Sequence, residues 1–125
     1  MVYTIDPSEI PEYQSLYTMV YFRGTDQAVG VTEMVAPGHH PKYRMKFAWA
    51  LPQAYSTATD VLSIEEVTTG TDHATVSAGT TVNIKTAFTI TDDVFERNEG
   101  IAVNLTTDGN AANATWVIAQ FESIH

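Results

Sequence analysis

The chain of 125 residues contains no cysteine, which excludes a disulfide framework and a thiolate nucleophile. Basic residues are scarce: six Lys plus Arg stand against 15 Asp plus Glu, a formal charge of −9. That balance argues against general affinity for nucleic-acid phosphate or anionic lipid, so neither nucleic acid nor a membrane is expected as a partner. Long apolar runs are also missing. No stretch approaches the ~18 residues of a membrane span, and MVYTIDPSEIPEY at the start lacks the positive and apolar regions of a secretion signal. The expectation is a soluble protein of one domain, stabilised by packing within and between subunits.

Catalytic signatures are equally sparse. There is no G-x-S-x-G elbow, no phosphate loop and no dinucleotide fingerprint. Glu65 and Glu66 are adjacent on a strand, so they are expected to face opposite ways rather than flank one bond. No catalytic residue, no cofactor and no enzymatic activity is expected. TDDVFERNEG (91–100) is the densest acidic stretch, yet it fails the calcium-loop spacing: counted from Asp92, the third and sixth positions are Val94 and Arg97. It reads as a connection with one helical turn closed by Gly100. His39 and His40 in APGHHP read as a solvated loop between prolines, because adjacent side chains on an extended chain diverge. No metal site is expected.

What the sequence does have is alternation of apolar and polar residues, the period of half-buried strands. Tyr43, Met45, Phe47, Trp49 and Leu51 share one side of such a pattern, Val82, Ile84, Thr86, Phe88 and Ile90 another, and Ile101, Val103 and Leu105 a third. On that reading Trp49 belongs to the core. SLYTMVYF (15–22) and ATWVIAQF (114–121) carry large apolar groups on both sides, as for strands in the middle of a sandwich or strands whose outer side meets another subunit. GTD, APGHHP, TTGTD, SAG and TDGNAAN separate the strands as turns. The spacing predicts an all-β sandwich or barrel of about eight strands over residues 15–125, preceded by an arm over residues 1–14 that Pro7 and Pro11 keep from forming a long helix.

Two segments carry a family resemblance. KFAWALPQAYSTATDVLSIEEV (46–67) and ERNEGIAVNLTTDGNAANATWVIAQFESI (96–124) resemble the strand, Leu-Pro break and closing strand pair of small jelly-roll virion proteins of tailed phages, found as head decoration or cement proteins, head fibres and tail adaptors. Gly100-Ile101 and Ala114-Thr115 depart from the Gly-Asp and Asp-Thr pairs common in that group. The resemblance implies a single jelly-roll-like antiparallel β-sandwich that works as a homotrimer, binds the major capsid protein, and stabilises the head shell. Such a protein is made in the host cytoplasm and ends on the capsid surface. Tyr17, Met19, Tyr21, Trp116 and Ile118 are then the expected subunit interface, and Val2, Tyr3, Ile5, Ile10 and Tyr13 of the arm the expected capsid contact. The alternative is a carbohydrate- or receptor-binding sandwich of a tail or fibre, which would show a row of surface aromatics.

Overall fold

The computed structural model describes residues 16–54, 58–78 and 81–124. The arm, with Val2, Tyr3, Ile5, Ile10 and Tyr13, lies outside them. Within the described residues the fold is all-β, as expected: β1 (Leu16–Arg23), β2 (Gly30–Val35), β3 (Tyr43–Ala54), β4 (Val61–Glu66), β5 (Asp72–Ser77), β6 (Thr86–Ala87), β7 (Thr89–Ile90), β8 (Val94–Phe95), β9 (Ile101–Thr107) and β10 (Ala114–Ser123). They form two antiparallel sheets packed face to face. The first runs β1-β10-β3-β6, with β8 also on β3, and the second runs β2-β9-β4-β5-β7.

The pairing is nested. The hairpin β4·β5 lies innermost, β3·β6 encloses it, β2·β9 encloses that, and β1·β10 is outermost. The chain is therefore one long antiparallel ribbon rolled into a sandwich, with successive ribbon pairs falling alternately on the two sheets.

Between the sheets, Met19 and Tyr21 of β1, Met45 of β3, Leu62 and Ile64 of β4, Ile101, Val103 and Leu105 of β9, and Val117 and Phe121 of β10 make the core with Phe95. The pattern read for Ile101, Val103 and Leu105 holds. The other two hold only in part. On β3 the alternation is interrupted at Lys46: Met45 pairs with Phe121 and Phe47 with Gln120, leaving Lys46 as an extra residue. Such a bulge inverts every later side chain. Ala48 and Ala50 accordingly turn into the core, while Phe47, Trp49 and Leu51 stand half-buried on the outside. Trp49 is not a core residue.

Residues 82–90 are also not one strand. Asn83 has φ of 64°, Ile84 is exposed, and the segment splits into β6 on the first sheet and β7 on the second. Phe88, between them, donates its N–H to the Ala48 carbonyl at 2.9 Å and is buried. Exposure nevertheless keeps a period of two through the crossing, with Phe88 buried, Ile90 packed against the core and Ala87 and Thr89 exposed, and the pattern fails at Ile84. The acidic stretch likewise forms β8 against Tyr43 and Arg44, not a helical turn.

One end of the sandwich is closed by a charge. Arg23, the last residue of β1, is 0% exposed. Its Nε lies 3.0 Å from Asp60 Oδ2, off the line of an ideal hydrogen bond. Its Nη1 donates to the carbonyls of Gly24 (2.7 Å) and Asn113 (2.6 Å), and Nη2 to Asp108 and to the Asn110 carbonyl. Asp60 Oδ1 in turn accepts from Gly109 N and Asn113 Nδ2, both at 3.0 Å. The 108–113 turn is thus strapped to residue 60. Gly109 is required there, since a Cβ would press on the Thr59 carbonyl.

Candidate functional site

The outer side of the first sheet is built by the residues that the core does not use. Across the strands, Val20, Ile118 and Trp49 form one row, Phe22, Trp116 and Leu51 the next, and Thr18, Gln120 and Phe47 a third. Val20 is 48% exposed and Phe22 43%, and the other apolar members are half-buried. An apolar patch of this continuity on a sheet face is unusual for a chain that works alone.

The aromatic groups in the patch pack on one another. Phe22 and Trp116 have ring centroids 4.5 Å apart at 46°, and Phe47 and Trp49 stack at 4.7 Å and 15°. The Lys85 ammonium stands 4.0 Å from the Trp49 centroid, a cation–π contact. Ring faces used in this way are not open platforms. Beside the patch, Gln53 Nε2 donates to Asn83 Oδ1 at 3.3 Å, and Lys46 and Arg44 both reach Glu122, at 3.5 and 3.8 Å. Lys42 pairs with Glu96 and Arg44 also with Asp93. The basic residues of β3 and its approach are thereby neutralised by local carboxylates.

The expected interface set is divided by the sheet. Trp116 and Ile118 belong to the outer patch. Met19 and Tyr21 are buried in the core of the single chain, and Tyr17 packs against that core, stacked on Tyr43 at 5.9 Å. The apolar character of those three is accounted for by the sandwich itself, because odd-numbered residues of β1 point inward. The even-numbered side chains Val20 and Phe22, together with Phe47, Trp49 and Leu51, take their place outside. A bulge at Lys46 leaves no mark in the alternation, but the outward Trp116 and Ile118 of β10 could have pointed to matching apolar groups on its neighbour.

The histidines also depart from expectation. His40 is buried and stacked on Tyr43 at 5.4 Å, and its Nδ1 meets the Pro41 carbonyl. Burial pushes the Tyr43 hydroxyl pKa up, with Tyr17 adding to the effect. His73 is buried beside Glu66 and Glu99, and these are the groups among the described residues that could hold a metal. Glu66 is held below the usual carboxylate range, first by the Thr69 hydroxyl that donates to it. Glu99 is pushed above that range, first by burial and then by Glu66. The reading of Glu65 and Glu66 as diverging agrees with their partners: Glu65 accepts from Asn104 Nδ2 at 3.3 Å, away from His73.

No family model matches this chain, and no curated protein matches it either.

Proposed function

We propose that this protein is a structural assembly protein of a virion, a capsid decoration or cement protein that binds the head shell as a homotrimer, and not an enzyme. The observation that carries this reading is the apolar outer side of the first sheet. Val20, Phe22, Trp49, Trp116 and Ile118 gain about 25 cal/mol for each Å² removed from water, and an interface between copies removes it. The nested ribbon supports the jelly-roll likeness of segments 46–67 and 96–124. In this reading the sandwich supplies subunit contact through its apolar sheet, the arm supplies the capsid contact, and burial at both surfaces opposes outward strain in the shell.

The sugar- or receptor-binding alternative is favoured by the same aromatic row beside Gln53, Asn83 and Gln120. It is weakened by the mutual packing of the rings, which leaves Trp49 between a phenyl partner and an ammonium instead of free to stack on a pyranose. Sedimentation equilibrium separates the two. The decoration reading expects a trimer at micromolar concentration that Ile118→Asp converts to a folded monomer, together with co-pelleting of the wild-type chain with expanded capsids. A wild-type monomer that binds an oligosaccharide and ignores capsids would replace it with the alternative.

A further inference from the structure

We infer that Glu66, His73 and Glu99 form a binding site for a divalent transition-type cation of the Zn²⁺ class, with one position left to water. The three residues come from the end of β4, the start of β5 and the turn before β9. Their ligand atoms all lie within 4.8 Å of one another.

The imidazole is set for this role. His73 Nδ1 lies 3.0 Å from the Asp92 carbonyl oxygen. A carbonyl only accepts, so Nδ1 carries a proton, and in the neutral ring the lone pair is then on Nε2. This is how ligating histidines are oriented in metal sites, with the remote nitrogen donating to a backbone carbonyl. The Nε2 atom faces Glu66 Oε2 at 3.3 Å and Glu99 Oε2 at 3.9 Å. A tetrahedral ion with bonds of about 2.0–2.1 Å sets its ligand atoms about 3.3–3.4 Å apart. The first distance already fits, and the second needs a shift of about half an ångström in a side chain on a turn.

The surroundings hold the site in place. Phe95 stacks on the His73 ring at 4.0 Å. Thr91 and Asp92 both donate backbone N–H groups to the His73 carbonyl, and Val67 N donates to the carbonyl of Gly100, next to Glu99. Thr69 fixes the other oxygen of Glu66. The Glu66 and Glu99 side chains keep 12% and 23% exposure, so an ion has an entry path and room for water. Asp92 Oδ2 lies 3.9 Å from Nδ1, and two further carboxylates, Glu66 and Glu99, face the Nε2 side of the imidazole. A divalent ion balances them, and one nitrogen with two carboxylate oxygens suits Zn²⁺, Co²⁺ or Mn²⁺ better than Ca²⁺ or Mg²⁺. Its role is to tie the 91–100 segment to the second sheet.

The test uses the full chain stripped with a chelator and titrated with ZnCl₂ by calorimetry at neutral pH. One ion per chain is expected, with a rise of several degrees in melting temperature at saturation. Co²⁺ in place of Zn²⁺ should give the intense visible bands of a tetrahedral N/O site. Glu99→Gln and Glu66→Gln, each shown by circular dichroism to be folded, should each weaken binding by at least about tenfold and cancel the thermal shift. Absence of Zn²⁺ binding overturns the assignment. So does binding of unchanged affinity in both variants, which would place the ion elsewhere, as on His39.

Discussion

Met45 and Phe47 are two residues apart on one strand and face opposite sides of their sheet. Met45 is 2% exposed in the core, and Phe47 stands half-buried outside. The cause is Lys46, which has no opposite number on β10. The single extra residue therefore supplies the β3 share of the outer patch: it turns Phe47, Trp49 and Leu51 out beside Ile118 and Trp116, and sends Ala48, Ala50 and Pro52 inward. Ala48 and Ala50 meet Ala119 and Val117 across the strand pair, so the inner side here is built from small groups.

Deleting Lys46 should accordingly be far worse than replacing it. The deletion restores strict alternation and drives Phe47 and Trp49 into space shaped for Ala48 and Ala50, an overpacking that the core cannot absorb. Loss of a cooperative thermal transition is expected for the deletion, against a change within about 0.5 kcal/mol for Lys46→Ala, whose exposed salt bridge to Glu122 contributes little. Urea melts of the two variants check this, and a deletion variant as stable as wild type would mean that the bulge does not set the outer patch.

Arg23 and Asp60 form a buried pair whose members depend on one another. Arg23→Met leaves Asp60, 1% exposed, without its cation, and should cost about 3–5 kcal/mol. Adding Asp60→Asn keeps the oxygen that accepts from Gly109 and Asn113 while removing the stranded charge. The double variant should therefore recover part of the loss. Denaturant titration of both reads the coupling, and a single variant with wild-type stability would show that the network closing this end is dispensable.

Glu65 makes folding stability depend on pH. Its carboxyl is raised above the ordinary range, chiefly by burial and further by Asp72, with the Asn104 amide working the other way. The folded state thus holds the proton more tightly than the unfolded state, so stability declines as pH rises from the unfolded pKa through the folded one. Glu65→Gln preserves an acceptor for Asn104. It should stabilise the protein at pH ~7 and leave it unchanged below pH ~4, where the native carboxyl is protonated in both states. Melting temperatures at the two pH values decide, and an equal gain at both would assign the effect to something other than ionisation.

The parts of the fold that were legible in the sequence are those governed by local rules. Ile101, Val103 and Leu105 alternate along an unbroken strand, and TDGNAAN is a turn by composition. Features that depend on partners distant in the chain were not. The inversion at Lys46 depends on the register against β10, and the passage of residues 82–90 from one sheet to the other depends on where the sheets lie. Arg23 reads as one more strand residue until Asp60 and Asp108 are brought to it. Glu66, His73 and Glu99 are separated by turns that no ligand-spacing rule links, and their approach follows from the β4·β5 hairpin and the segment that leads into β9.

The rolled ribbon also fixes the order in which the protein can be made and folded. Each residue of β1 lies opposite one of β10 that is synthesised roughly a hundred residues later, and closing a contact of such span is slow because its entropy cost precedes any gain. The β4·β5 hairpin can form early on the ribosome, but β1 must wait for β10. Throughout that interval Leu16, Val20 and Phe22 lie on an unpaired strand in a crowded cell. A nascent chain of this topology therefore has reason to engage a holding chaperone through β1, and to release it when β10 arrives.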